Sequence, residues 1–197
     1  MGEPWFPPRD GAGDGAGVSS LGRRRLVRAL KARDDAKRWR AATALSQVDD
    51  PRTVRRVERL LESRGHDQGR AAAAYVLGFS GETDVSSVLA RRLTDTDESA
   101  VVRAHAAEAL GHLLQYQPVL ADIRTAIASC LRDPEPEVRF WCAFAAGVLD
   151  LQESRPQLER MKADEASIQG WWTVGQEAEW ALRCLDGEED PPIPEPA

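Results

Sequence analysis

One nine-residue phrase recurs five times in this chain: an arginine, small residues three and four places later, then Ala-Leu-Gly or a close relative. The copies begin at Arg38, Arg70, Arg103, Arg139 and, in a worn form, Gly175, spaced 32, 33, 36 and 36 residues apart. A period of that size marks stacked supersecondary units, none of which can bury its apolar face alone. Small and apolar residues fall at +3, +4, +6 and +7 from the start of each phrase, a stripe along one side of a helix. Alanine favours that helix and lets a neighbour come close. Gly78 and Gly111 are expected to end their helices or to tighten them against the next element.

A second helix is expected after each phrase. Val54, Val57 and Leu61 supply its apolar face in the first unit, Val85, Val88 and Leu93 in the second, and Leu120, Ile123, Ile127 and Leu131 in the third. Asp133-Pro-Glu-Pro-Glu opens the fourth unit with a capping residue, a proline suited to a first turn, and acids suited to the positive helix end. Ser19 and Ser20 can cap one further helix, carrying Leu26 and Leu30, ahead of the first phrase. No stretch alternates apolar and polar residues, so the fold class is all-α.

The Asp-led pattern of Asp97…Val102-Arg103 and Asp133…Val138-Arg139, with Ala106-Ala107…Ala109-Leu110-Gly111 as its fullest version, resembles HEAT repeats. The likeness is to the short bacterial kind also found in phycobilisome lyases, and it spans roughly residues 35–185. It implies a right-handed α-solenoid of about four to five HEAT-like helical hairpins. The expected organisation is a Gly/Pro-rich leader without structure over 1–18, the solenoid over 19–186, and an acidic, Pro-rich tail without structure over 187–197.

Several function classes find no support. No apolar run approaches the 18 or so residues that span a bilayer, and Met1 to Pro8 has no basic segment leading into an apolar one. Cys130, Cys142 and Cys184 are odd in number and far apart, which fits neither a disulfide framework nor a metal pattern. These features read as a cytoplasmic protein. The glycine run Gly11 to Gly17 follows no strand and leads to no Lys-Ser/Thr pair, so it is a flexible linker rather than a phosphate cradle. His105, Glu108 and His112 share one helix face, yet i to i+7 spans about 10 Å, too far for both imidazoles to reach one ion easily. The plainer reading is a solvated polar face. No nucleophile elbow, Cys-His-Asn signature or zinc-protease motif occurs. No catalytic, cofactor or metal residue is assigned.

The formal charge of −6 hides a split. Residues 21–70 hold 15 Lys/Arg against 7 Asp/Glu, whereas residues 71–197 hold 10 against 22. Within the basic part, Arg52, Arg55, Arg56 and Arg59 form one stripe opposite Val54, Val57 and Leu61, with Arg23, Arg24, Arg25, Arg28 and Lys31 on the helix before. The resemblance puts the second helices on the concave side of the array, where partners dock. Four like charges on one stripe are therefore a candidate partner site, or else a solvated face tied to Glu58 and Glu62.

A second candidate is aromatic. Tyr75, Phe144 and Trp180 stand five residues after their phrase starts, and Phe140 and Trp141 one and two after theirs. With Trp171 and Trp172 they either cover the last repeats or present an apolar surface to a partner. The leading functional expectation is a non-enzymatic scaffold or adaptor binding another protein along the concave face. Nucleic-acid binding through the basic half is the alternative, disfavoured by the net acidity. A prosthetic-group lyase or chaperone of the phycobilisome-lyase type is implied only by the resemblance.

Overall fold

The computed structural model describes residues 19–188 and 191–194. The leader 1–18 lies outside the described residues. Ten α-helices follow one another: α1 (Ser20–Ala29), α2 (Asp35–Ser46), α3 (Pro51–Leu61), α4 (Asp67–Gly78), α5 (Ser86–Thr94), α6 (Ala100–Leu114), α7 (Ala121–Cys130), α8 (Pro136–Val148), α9 (Arg155–Met161) and α10 (Val174–Leu185). Among the described residues the only β pairing is an isolated bridge between Ser167 and Thr173. The protein is an all-α helical solenoid.

Its helices form two layers. The phrase helices α2, α4, α6, α8 and α10 pack on one another in succession. The other layer is α1, α3, α5, α7 and α9, each docked on the phrase helix that follows it. This pairing corrects the expected one. The phrase helix is the second member of each hairpin, not the first, and α1 is the outer half of the first hairpin rather than an extra leading helix.

Local chemistry accounts for most boundaries. Ser19 caps α1 by accepting from Gly22 N at 3.1 Å, and Asp34 and Asp50 cap α2 and α3 in the same way. Thr173 and Gln176 close a reciprocal capping box at α10. Pro136 sits in the first turn of α8, as its missing N–H allows, but Glu135 is the cap and Asp133 is engaged elsewhere. Val54, Val57, Leu61, Val85, Val88, Leu93, Ile123, Ile127 and Leu131 are all buried. Leu120 departs from the expected stripe: it caps α7 from outside and is 62% exposed.

Glycine sets the spacing of the phrase layer. A Cβ on Gly78 would lie 2.8 Å from Ala109 Cα, and one on Gly147 would lie 2.9 Å from Ala181 Cα. Gly111 lies inside α6, where the tightening role applies, because a Cβ there would meet the Phe144 ring at 2.7 Å. Gly175, where the phrase arginine should be, abuts the carbonyls of Lys162 and Asp164. No larger residue fits that close approach.

The phrase arginines tie successive units together. Arg103 Nη2 meets Asp133 at 2.9 Å, Arg139 Nη2 meets Asp164 at 2.7 Å, and Arg70 pairs with both Asp67 and Glu98. Arg38 reaches back instead, to Asp35 and the Ala32 carbonyl. One bridge from each of Arg70, Arg103 and Arg139, to Glu98, Asp133 and Asp164, ends in the loop ahead of the next phrase helix. This explains why the motif couples an arginine with an acid about one repeat further on.

Candidate functional site

On α4, α6, α8 and α10 the residues at +5 and +9 from the start of the phrase, joined on α8 and α10 by the residue at +2, fall on one side of the layer. On α4 and just after it these are Tyr75 and Phe79; on α6 they are Glu108 and His112. On α8 they are Trp141, Phe144 and Val148, and on α10 Glu177, Trp180 and Cys184. Stacking the helices lines these positions up into one groove of about 1190 Å³, whose lining also includes Trp171 and Trp172.

Ring contacts run along this surface. Tyr75 and Phe79 lie 5.0 Å apart between centroids, and Phe79 and His112 lie 4.6 Å apart. His112 meets Phe144 at 5.0 Å, and Phe144 stacks on Trp180 at 6.0 Å with 18° between the planes. Trp141 joins Phe144 edge-on at 5.6 Å and Trp171 at 5.1 Å. The tail enters here too. The Trp180 indole N–H donates to the Pro191 carbonyl at 3.1 Å, and Pro191 is buried.

Two carboxyl groups are sunk among the rings. Glu108 is buried and bonds His105 Nδ1 at 2.6 Å. Burial opposes the charged imidazole of His105, but the Glu108 carboxylate beside it prevails and raises its pKa. Glu177 is 2% exposed and accepts from the Trp172 indole N–H at 2.7 Å. Burial pushes Glu177 up to about 8, against the lowering effect of that hydrogen bond, so the carboxyl is protonated at neutral pH. The expected solvated polar face is thus half-sunk: Glu108 and His112 line the groove, and His105 is the partly buried partner of Glu108. Among the described residues no group of three or more His, Cys, Asp and Glu converges as a metal site.

The aromatic candidates divide. Phe140 is 1% exposed, wedged against Trp141, Trp171 and Trp172, and belongs to the core rather than to a docking surface. Tyr75 and Trp141 are largely covered and show the groove an edge. Phe144, Trp171 and Trp180 are half-buried and show it more. Of three further groove residues, Phe79, His112 and Tyr116, sequence reasoning named only His112, as part of a solvated polar face; Tyr116 is 80% exposed at the groove's rim. The first two stand nine residues after their phrase starts, so extending the +2 and +5 positions by one turn reaches them.

The arginine stripe lies elsewhere. Arg52, Arg55 and Arg59 are exposed and Arg56 is half-exposed, opposite the buried Val54, Val57 and Leu61 as expected. They sit on α3, in the layer away from the groove, because it is the phrase helices and not their companions that line it. Among the described residues none of the four forms an ion pair. Glu62 reaches Arg91 instead, at 3.3 Å.

The HEAT-repeat family matches residues 23–111 and again 94–183. This chain is a HEAT-repeat protein. No curated protein sequence matches it, but solved structures do. The CpcE–CpcF complex of phycocyanin lyase from Nostoc sp. PCC7120 is similar with a TM-score of 0.65 and 21% identity, over 83% of this chain and 99% of that one. Human deoxyhypusine hydroxylase in complex with glycerol is similar with a TM-score of 0.50 and 27% identity, over 65% of this chain and 43% of that one. A designed armadillo repeat protein is similar with a TM-score of 0.54 and 16% identity, over 84% and 82%. The lyase and armadillo likenesses are of fold alone. No helix among the described residues of the HEAT-repeat protein is long and apolar enough to cross a membrane.

Proposed function

We propose that this HEAT-repeat protein is a non-enzymatic adaptor that holds a segment of another protein in the groove across α4, α6, α8 and α10. The observation that carries the reading is the alignment of the +5 and +9 side chains of four successive repeats into one groove with largely aromatic walls. Monomers rarely expose contiguous apolar patches of this kind without a partner for them, and Trp and Tyr are the residues that dominate binding energy where proteins meet. The groove runs across four successive phrase helices, which suits an extended chain segment better than a compact substrate. The test is capture of partners on the immobilised protein, compared with the double variant Phe144→Ala, Trp180→Ala checked for native helicity. A partner retained by the parent and lost by the variant supports the reading. Equal retention by both contradicts it.

A second reading rests on a different observation: the exposed Arg52, Arg55 and Arg59, with Arg24, Arg25 and Arg28 on α1, make no ion pair among the described residues. Guanidinium forks left unneutralised suit an acidic protein surface or a phosphate backbone. Charge reversal at Arg55 and Arg59 should leave stability within about 0.5 kcal/mol and slow association with an anionic partner at low salt. Unaltered partner binding and salt dependence would make the stripe a solvated face only.

A further inference from the structure

The walls of the groove are chemically selective. They carry Glu108, Asp150, Glu177 and Glu188, and neither a lysine nor an arginine, although the chain holds 26 such residues. Glu177 is protonated and Glu108 is committed to His105, so the negative charge open to a ligand comes from two acids at the rim. Asp150 is exposed, accepts from Gln152 Nε2 at 2.7 Å and forms no ion pair among the described residues. Glu188 is exposed and paired with Arg183 at 2.5 Å.

The backbone adds to this. Because the phrase helices run parallel, their carboxyl ends gather along one edge of the groove, where Phe79, Tyr116, Asp150 and Glu188 follow the last turns of α4, α6, α8 and α10. A helix C-terminus carries a partial negative charge and favours cations. Four of them side by side do so along a line. Much of the remaining wall is aromatic, and the exposed face of a ring also attracts cations, guanidinium above all. Side chains, helix ends and rings therefore select the same sign of charge.

Resting on the groove being the docking site, we infer that its occupant is a basic, arginine-bearing segment of a partner protein in extended conformation. Its guanidinium groups lie over Trp180, Phe144 and Trp171 and reach the carboxylates of Asp150 and Glu188. The Glu108 carboxylate is already committed to His105 and serves as wall, not as the contact.

The test uses the full chain and three short labelled peptides: one alternating Arg and Ser, one with Gln for each Arg, and one with Glu for each Arg. The Arg peptide should bind about tenfold more tightly than the Gln peptide and weaken as salt rises. The pair Asp150→Asn, Glu188→Gln, with an unchanged thermal melt, should erase that preference. Equal binding of the Arg and Gln peptides, both lost with Trp180→Ala, would overturn the cationic occupant while the groove stands. So would no binding of the Arg peptide when the Phe144→Ala, Trp180→Ala variant still loses captured protein. Arg-peptide binding indifferent to all of these substitutions would overturn the occupant and the groove together. Preference for the Glu peptide would assign the wrong sign to the site.

Discussion

Arg103 and Arg124 each reach a carboxylate about one repeat further on, Asp133 at 2.9 Å and Glu153 at 2.6 Å, but in different surroundings. Arg103 is buried and the Asp133 side chain is only 9% exposed, whereas Arg124 and Glu153 lie at the surface. Removing one buried partner strands the other charge out of water, so Arg103→Ala should cost ~3 kcal/mol. Arg124→Ala should cost under about 1 kcal/mol. Denaturant melts check the contrast, and equal losses would contradict the staple role. The sequence shows Arg103 as a repeated letter, but its partner is set by how units stack and cannot be read from either residue alone. Glu177 gives a second residue-scale prediction. Its pKa is about 8 in the folded chain and near 4.3 when unfolded, so the native state binds the extra proton between these values. Stability contributed by Glu177 is full below pH ~4 and falls as pH rises through ~8, by at most about 1.4 kcal/mol per pH unit. Glu177→Gln should flatten that slope in melts taken across this range.

At the scale of the helix, apolar spacing and caps were informative because they are local. Ser19, Asp50 and the Val54-Val57-Leu61 stripe can be recognised without knowing any neighbour. Leu110, within α6 and fully buried between flanking units, should lose ~2–5 kcal/mol on Leu110→Ala. A loss below about 1 kcal/mol in the same melts would contradict its core position. Gly78→Ala should cost ~1–3 kcal/mol, since a Cβ must displace the Ala109 backbone. Hairpin pairing was harder to read, because every loop in a continuous array joins two helices. Whether α4 belongs with α3 or α5 depends on contacts that the order of the chain leaves open. That ambiguity is why α3, with its arginine stripe, was expected as the second helix of its hairpin when it is the first.

For the whole molecule, the period established a stacked array and the charge split established two unlike halves, both directly from the residues. The groove was only half legible. Tyr75, Phe144 and Trp180 share one position of the phrase, while Phe79 and His112 join them only once parallel helices align their +9 positions. Phe140 looked equivalent to these and is not, because one residue of rotation on α8 turns its ring inward. What remains to be measured is where a bound partner sits. Hydroxyl-radical footprinting of the HEAT-repeat protein, with and without a captured partner, compares both faces at once. Protection of Tyr116, Phe144, Trp171 and Trp180, with the side chains of α1 and α3 unchanged, is the predicted result. Protection confined to α1 and α3, with those four rings oxidised as in the free protein, would contradict it.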